Sequence, residues 1–352
     1  MNDFKDKYKV IIVGAGPSGL SSALNLLKLG VDDILVIEKC AFPRYKCCAG
    51  YVTEKTGKEY EKLGLDITRC NYSLIKDFKI VFKHKRRLAI NNKFLYTNSK
   101  IDRVELDYAF YRLAKSEGVQ ISENTRIASH DAQAKRIELA DGKNLSYDYL
   151  IFADGTSGFG SRYQKRKKKN IAMQLTFPCD NEEEISIHFG ITKHGYGWLS
   201  TYGGVANAGL TDVYNPALNY KHIFHDYLIG LGICADETQL KGAVTPIGVG
   251  KAMLFGNVYF VGDAVGACDP MTLSGLRYGL KSGEVCARAI ADNKPKIYKK
   301  YIRRLSSRFA LMRLMQKVFY LKPVAFAVFN VFCRFFGKSV SYIFNKFFVN
   351  KK

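Results

Sequence analysis

Apolar positions along the chain fall into two patterns. Val10 to Val13 and Ile34 to Ile37 are continuous runs of strand length, as in strands covered on both faces. Ser21 to Leu29 and Lys100 to Ala114 place apolar residues three and four apart, which predicts helices. Phe78 to Phe82 and Arg87 to Ile90 read as short strands of an inserted sheet. Val119 to Ile121, Lys135 to Leu139 and Asn144 to Tyr149 predict further strands around a turn at Asp141-Gly142. Tyr149 to Ala153 is a separate apolar strand that returns the chain to the first layer. From Ile171 to Leu210 the pattern alternates at the strand period, as in Glu184 to Phe189. Ala252 to Ala264 reads as one strand, followed by a helix from Leu276 to Ala291. The order of elements predicts an α/β fold with an inserted antiparallel sheet.

The joint between the first strand and helix is Gly14-Ala-Gly16-Pro17-Ser18-Gly19. Glycines at G-x-G-x-x-G spacing allow a sharp turn, close approach to a diphosphate and tight helix packing, while the helix N-terminus offers N–H groups to phosphate. Glu38 ends the next strand, about 20 residues on, where an acid can accept from ribose hydroxyls. With strand, helix and acid all in place, the stretch predicts a dinucleotide site.

The 352 residues suggest about two domains. The net charge of +22 directs attention to a polyanionic partner. About fifteen Lys/Arg and no Asp/Glu fall after Asp292, among many phenylalanines that include Phe309, Phe319, Phe326, Phe335 and Phe348. Pro323 to Cys333 is well short of the ~20 residues that span a bilayer. A basic amphipathic helix pair lying in an anionic membrane surface accounts for both charge and aromatics, whereas a helical cap on the domain accounts for the aromatics alone. No nucleic-acid motif accompanies the charge. The run Gly160 to Lys169 reads as a solvated face. The N-terminus lacks an apolar signal region, so the expectation is a cytoplasmic protein on the inner membrane face. Nine scattered cysteines suit reduced thiols, and no spacing suggests a metal.

Cys47 and Cys48 lie in a loop with Arg44 and Lys46, an electropositive setting that would lower a thiol pKa. Cys48, and after it Cys47, is therefore a candidate reactive group; the alternative is an inert structural thiol. Arg103 opens a helix, where it is either solvated or reaches a phosphate. Tyr196 and Trp198 stand among glycines that leave room for a ligand, or else belong to the core. Asp154-Gly155 and Gly262-Asp263 end apolar strands and offer carboxylates at the nucleotide layer.

Taken in order, Gly14, Gly16 and Gly19 with Glu38, then Ala153-Asp154-Gly155, then Gly262-Asp263 resemble the FAD-binding signature of the p-hydroxybenzoate hydroxylase superfamily, from about Tyr8 to Ala291. Phe42 to Gly50 resembles the F-P-R-x-K-x-C-G-G loop of geranylgeranyl reductases. Tyr196-Gly-Trp198 resembles their Y-x-W motif, and Gly262 to Pro270 through Gly275 their G-D-A-A-G-x-x-x-P segment. Ala49, Leu199-Ser200 and Leu273-Ser274 depart from the pattern.

The resemblance implies a Rossmann-like FAD-binding domain over 1–75, 95–165 and 250–292. It implies a substrate-binding sheet over 76–94 and 166–249, and a basic helical region over 293–352. Gly14, Gly16, Gly19 and Glu38 would hold the ADP half, Arg103 the pyrophosphate and Asp263 the ribitol. Pro17, Ser18, Lys39, Arg44, Cys48, Ala49, Gly50, Asp154, Gly155, Gly275 and Leu276 would also touch the cofactor, and Tyr196 and Trp198 a lipid cavity. The implied reaction is hydride transfer from flavin N5 to an isolated alkene of an isoprenoid lipid, with Cys48 as proton donor or positioning group. With no second G-x-G-x-x-G, electrons would come from transient NAD(P)H or a ferredoxin- or flavodoxin-like protein. The alternatives are an FAD monooxygenase of a hydrophobic substrate and a non-catalytic, membrane-docked flavoprotein electron carrier.

Overall fold

The computed structural model describes residues 4–70, 72–74, 77–82, 86–91, 98–165, 168–180 and 184–320. Five apolar runs form a parallel layer in the order Val258–Phe260, Asn144–Phe152, Lys7–Val13, Ile34–Ile37 and Gln120–Ser122. Val13 is in register with Ile37 and with Phe152, and Phe152 with Phe260. The strands therefore end in one row, and Gly14, Glu38, Ala153 and Val261 leave the sheet along a single rim. Ligands of open α/β sheets bind in the crevice outside that rim.

Two predicted strands merge here: Asn144–Phe152 is continuous, because its first part pairs antiparallel with Arg136–Leu139 and its last part parallel with Lys7–Val13. The run from Ala252, by contrast, is broken. Met253–Leu254 folds back antiparallel on Val258–Phe260 through a turn in which Phe255 and Gly256 both take positive φ.

Among the described residues, six α-helices surround the sheets: α1 (Pro17–Lys28), α2 (Glu54–Glu61), α3 (Arg103–Ser116), α4 (Tyr220–Gly230), α5 (Leu276–Ala291) and α6 (Pro295–Phe319). Helix α3 starts later than the periodicity predicts. Asn98–Ile101 is a strand paired with Tyr51–Thr53 and Tyr72–Leu74, and the Asp102 carboxylate caps the helix by accepting from the Val104 N–H at 2.8 Å. Helices α1 and α5 pack almost backbone to backbone. A Cβ on Gly283 would stand 2.6 Å from the Ser18 carbonyl oxygen, so only glycine allows the contact.

The second sheet runs Lys241–Pro246, Lys169–Pro178, Val205–Val213, Tyr196–Tyr202, Glu184–Phe189, Asp77–Phe82, Arg86–Asn91, antiparallel except where Glu184–Phe189 meets Asp77–Phe82. Met173, Leu175, Ala208 and Leu210 on one face bury Tyr220, Phe224, Tyr227 and Leu228 of α4, each large side chain contributing about 1.5–3 kcal/mol. The sequence reading assigned no element to α4. Asn219 caps it by accepting from the His222 N–H at 3.2 Å.

Helix α6, the first part of the basic region, turns one face inward. Its apolar seam of Tyr298, Ile302, Leu305, Phe309 and Met312 is buried in the main core, and the Tyr298 hydroxyl donates to the Phe260 carbonyl. Phe309 thus belongs to a helical cap on the domain. Phe326, Phe335, Phe348 and the apolar run from Pro323 lie outside the described residues, as do Arg166 and Lys167 of the Gly160 to Lys169 charge run.

Candidate active site

The glycine turn behaves as its spacing predicts. Gly14 has φ +105°, and a Cβ there would approach the Ala153 carbonyl oxygen to 2.7 Å. A Cβ on Gly19 would strike the Gly14 carbonyl oxygen at 1.9 Å, so the helix can begin this close to the strand only without side chains. Gly16 is the N-cap of α1 and Gly275 that of α5, and neither has a side chain to satisfy the first amides; Thr53, Asp102 and Asn219 do cap α2, α3 and α4. The two bare N-termini lie side by side, since a Cβ on Gly279, at the start of α5, would come within 3.7 Å of Ser18 Cβ at the start of α1. Their N–H groups and dipoles converge on the crevice.

Glu38 is buried. Its carboxylate accepts from the Ala15 N–H at 3.0 Å and the Cys40 N–H at 3.2 Å, and lies 3.5 Å from Arg44 Nη2. The Arg44 guanidinium covers the Phe42 ring at 4.8 Å, which in turn stacks on Tyr111 at 4.4 Å. Arg44 Nη2 lies 3.6 Å from where a Gly16 Cβ would be, and Arg44 Nε is buried with no hydrogen-bond partner among the described residues. An orphaned cationic donor, uncapped helix starts and a side-chain-free turn fit a dinucleotide diphosphate. Lys39 stands close enough to act on the Asp154 carboxylate. Asp263 is beside Gly275, where a Cβ would come within 3.3 Å of Asp263 Oδ1; Leu276 opens α5 next to it.

Of the expected ligands, Arg103 is engaged within its own helix, whereas Asp154 is engaged through Oδ2 alone and its Oδ1 is buried with no hydrogen-bond partner among the described residues. Arg103 is buried and forked onto Asp107, one turn on, by Nε and Nη2 at 2.8–3.0 Å. Burial opposes its charge, but Asp107 outweighs it and holds the guanidinium protonated. The Asp154 carboxylate accepts from the Gly160 N–H at 2.8 Å, inside the turn that follows its own strand, and burial raises its pKa to about 6. Gly155 takes φ +77° in that turn.

The far end of the crevice brings together three distant segments. In the loop after Glu38, Cys48 Sγ accepts from the Gly50 N–H at 3.5 Å, with Ala49 between them. Across from it, the Tyr196 hydroxyl donates to the Thr272 carbonyl at 2.7 Å, tying the second sheet to the Gly262 to Gly275 loop. Burial pushes the Tyr196 hydroxyl pKa up, aided by the fields of Asp269, Cys268, Tyr51 and Cys48, so these groups lie within electrostatic reach of one another. Burial likewise raises Cys268, and it raises Cys47, contrary to the lowered thiol expected from the loop's basic residues. Thr272, Cys268 and Tyr51 are residues of this end that the sequence reading missed. Cys268 and Thr272 lie inside the Gly262 to Gly275 segment and Tyr51 directly follows the Phe42 to Gly50 loop, but none of them is a fixed position of those motifs.

Trp198 turns out to be a structural residue of the sheet. Its ring lies on Gly209, its cross-strand partner, where a Cβ would meet it at 2.0 Å, and its Nε1–H donates to Asn207 Oδ1 at 2.8 Å. It still supports the pocket from behind, 6.3 Å from the Tyr196 ring.

Residues 7–174 match the family described as FAD binding domain. The chain is 26% identical over 319 residues to menaquinone reductase of Mycolicibacterium smegmatis, covering 80% of this chain and 76% of that protein. It is 24% identical over 323 residues to digeranylgeranylglycerophospholipid reductase of Methanococcus vannielii, covering 83% and 80%. The geranylgeranyl bacteriochlorophyll reductase-like protein of Thermoplasma acidophilum superposes with a TM-score of 0.76 at 19% identity, over 90% of this chain and 88% of that one, a shared fold.

Proposed function

We propose that this chain is an FAD-dependent oxidoreductase related to the geranylgeranyl reductases, and that it saturates isolated C=C bonds of an isoprenoid lipid. Geranylgeranyl chains carry only such alkenes, and menaquinone carries them in its tail, so the two groups of relatives share this substrate element. The observation that supports the reading is the hydrogen bond from Tyr196 to the Gly262 to Gly275 loop, with Cys48 within electrostatic reach of Tyr196.

Gly14, Gly16, Gly19, Glu38 and Arg44 would hold the ADP half of FAD, and Asp263, Gly275 and Leu276 the remainder. When bound and reduced, FAD supplies the hydride. Cys48 would donate the Sγ proton to the neighbouring carbon, and the thiol would be restored from solvent. Tyr196 holds the 268–275 loop against the second sheet, and the buried pocket around it keeps water from the alkene. The electron donor is NAD(P)H or a small acidic redox protein.

Mass spectrometry of cellular prenyl lipids with and without the chain tests the reading. A gain of hydrogen pairs is expected, and no change across prenyl diphosphates, quinones and phospholipids overturns it. Cys48→Ser is expected to keep yellow bound FAD and to lose most turnover; unchanged turnover removes Cys48 from the chemistry.

A further inference from the structure

Helix α6 has a second face. While Tyr298, Ile302, Leu305, Phe309 and Met312 face the core, the opposite side is exposed and changes character along its length. Lys300, Arg303 and Arg304 occupy its first half. Leu311, Leu314 and Val318, at i, i+3 and i+7, make one apolar stripe on its second half, 58%, 59% and 46% exposed. Large apolar residues scattered singly on a surface need no explanation, but a stripe continuing a cationic one does.

We propose that this outward face of α6 docks on an anionic lipid bilayer, with the cations against headgroups and the leucines at the acyl boundary. Every charged residue of α6 is basic, and among the described residues none of them is in an ion pair. A groove of about 420 Å³ beside the helix adds Lys251, Lys299 and Ser306 to Arg303, a setting suited to a phosphate headgroup. A second copy of this chain would bring an equally basic face, and like charges would oppose it. A nucleic acid would leave the apolar stripe unexplained. The sequence beyond α6 continues in the same vein, with Lys322, Arg334, Lys338 and Lys346 among phenylalanines and no acid.

The placement also serves the candidate site. The apolar end of α6 closes on the strand loop before Tyr196: Gln316 donates to the His194 carbonyl at 3.0 Å, Phe319 meets Phe189 edge-on at 5.3 Å, and Phe189 lies 6.1 Å from Tyr196. A lipid leaving the bilayer at this end would arrive beside the pocket. Delivery of substrate by this route rests on the lipid-reductase reading, whereas docking does not.

The test is co-sedimentation of the full FAD-loaded chain with vesicles of phosphatidylcholine alone or with phosphatidylglycerol. Salt-sensitive binding to the anionic vesicles is expected. The triple variants Lys300→Glu/Arg303→Glu/Arg304→Glu and Leu311→Ser/Leu314→Ser/Val318→Ser should each weaken it on the order of 10-fold or more at unchanged flavin absorbance and melting temperature. Wild-type vesicle binding by both variants overturns the proposal. So does a leucine variant that dissociates a dimer in light scattering, or one that melts early because chain 321–352 covers the stripe. Loss of vesicle binding with retained reduction of detergent-dispersed lipid supports docking separately from catalysis.

Discussion

The Tyr196 hydroxyl and the Thr272 carbonyl, 76 positions apart, are joined by a 2.7 Å hydrogen bond that links the two sheets at the candidate site. Tyr196 comes from the second sheet and Thr272 from the loop between the parallel layer and α5, so this bond fixes how the pocket closes.

Tyr196→Phe keeps the ring and deletes the bond. A neutral hydrogen bond contributes about 0.5–1.5 kcal/mol, so kcat/KM for lipid reduction should fall roughly 3- to 10-fold while FAD affinity stays within about 2-fold. Steady-state kinetics with flavin titration separates the two. Equal loss of FAD binding would move Tyr196 from the substrate side to the cofactor side.

Arg103 and Asp107 form a buried pair, so removing one partner strands the other. Asp107→Ala should cost about 3–5 kcal/mol in chemical denaturation, because the guanidinium stays buried without its carboxylate. The double variant Arg103→Met/Asp107→Leu should recover much of that loss. A single variant as stable as the wild type would mean that solvent reaches Arg103.

Asp154 predicts a pH effect. Its folded pKa of about 6 lies above the ordinary 3.8, so the folded protein holds this proton more tightly than the unfolded chain. The contribution is fully present below about pH 4, is lost as pH rises to about 6, and is constant above, at most about 3 kcal/mol in all. Asp154→Asn, which can still accept from Gly160, should flatten that fall. Denaturation midpoints of the FAD-free protein between pH 4 and 8 measure it; parallel curves for variant and wild type would place the Asp154 pKa near its ordinary value.

Much of the nucleotide layer was legible because its determinants are local. Gly14 favours glycine through its own φ of +105°, and Gly19 because a Cβ there would strike the Gly14 carbonyl oxygen five residues back, so both leave a glycine pattern in the sequence. Helix α5 was readable from Leu276 to Ala291 by period alone. The Arg103–Asp107 fork is equally local, since i and i+4 share a helix face. Trp198 was harder: the glycine that receives its ring is eleven residues away on the next strand, and register, not composition, pairs them.

By itself, then, the sequence determined the parallel layer, the turn that receives a diphosphate and the order of the three motif strands, because short-range sterics and hydrophobic period act within a few residues. Only the tertiary structure decided which groups lie within electrostatic reach of Cys48 and which face of α6 turns inward. That helix carries apolar residues on two sides, and its wheel cannot say which stripe meets the core. The packing of Tyr298 to Met312 against the parallel layer does, and it leaves Leu311, Leu314 and Val318 facing out.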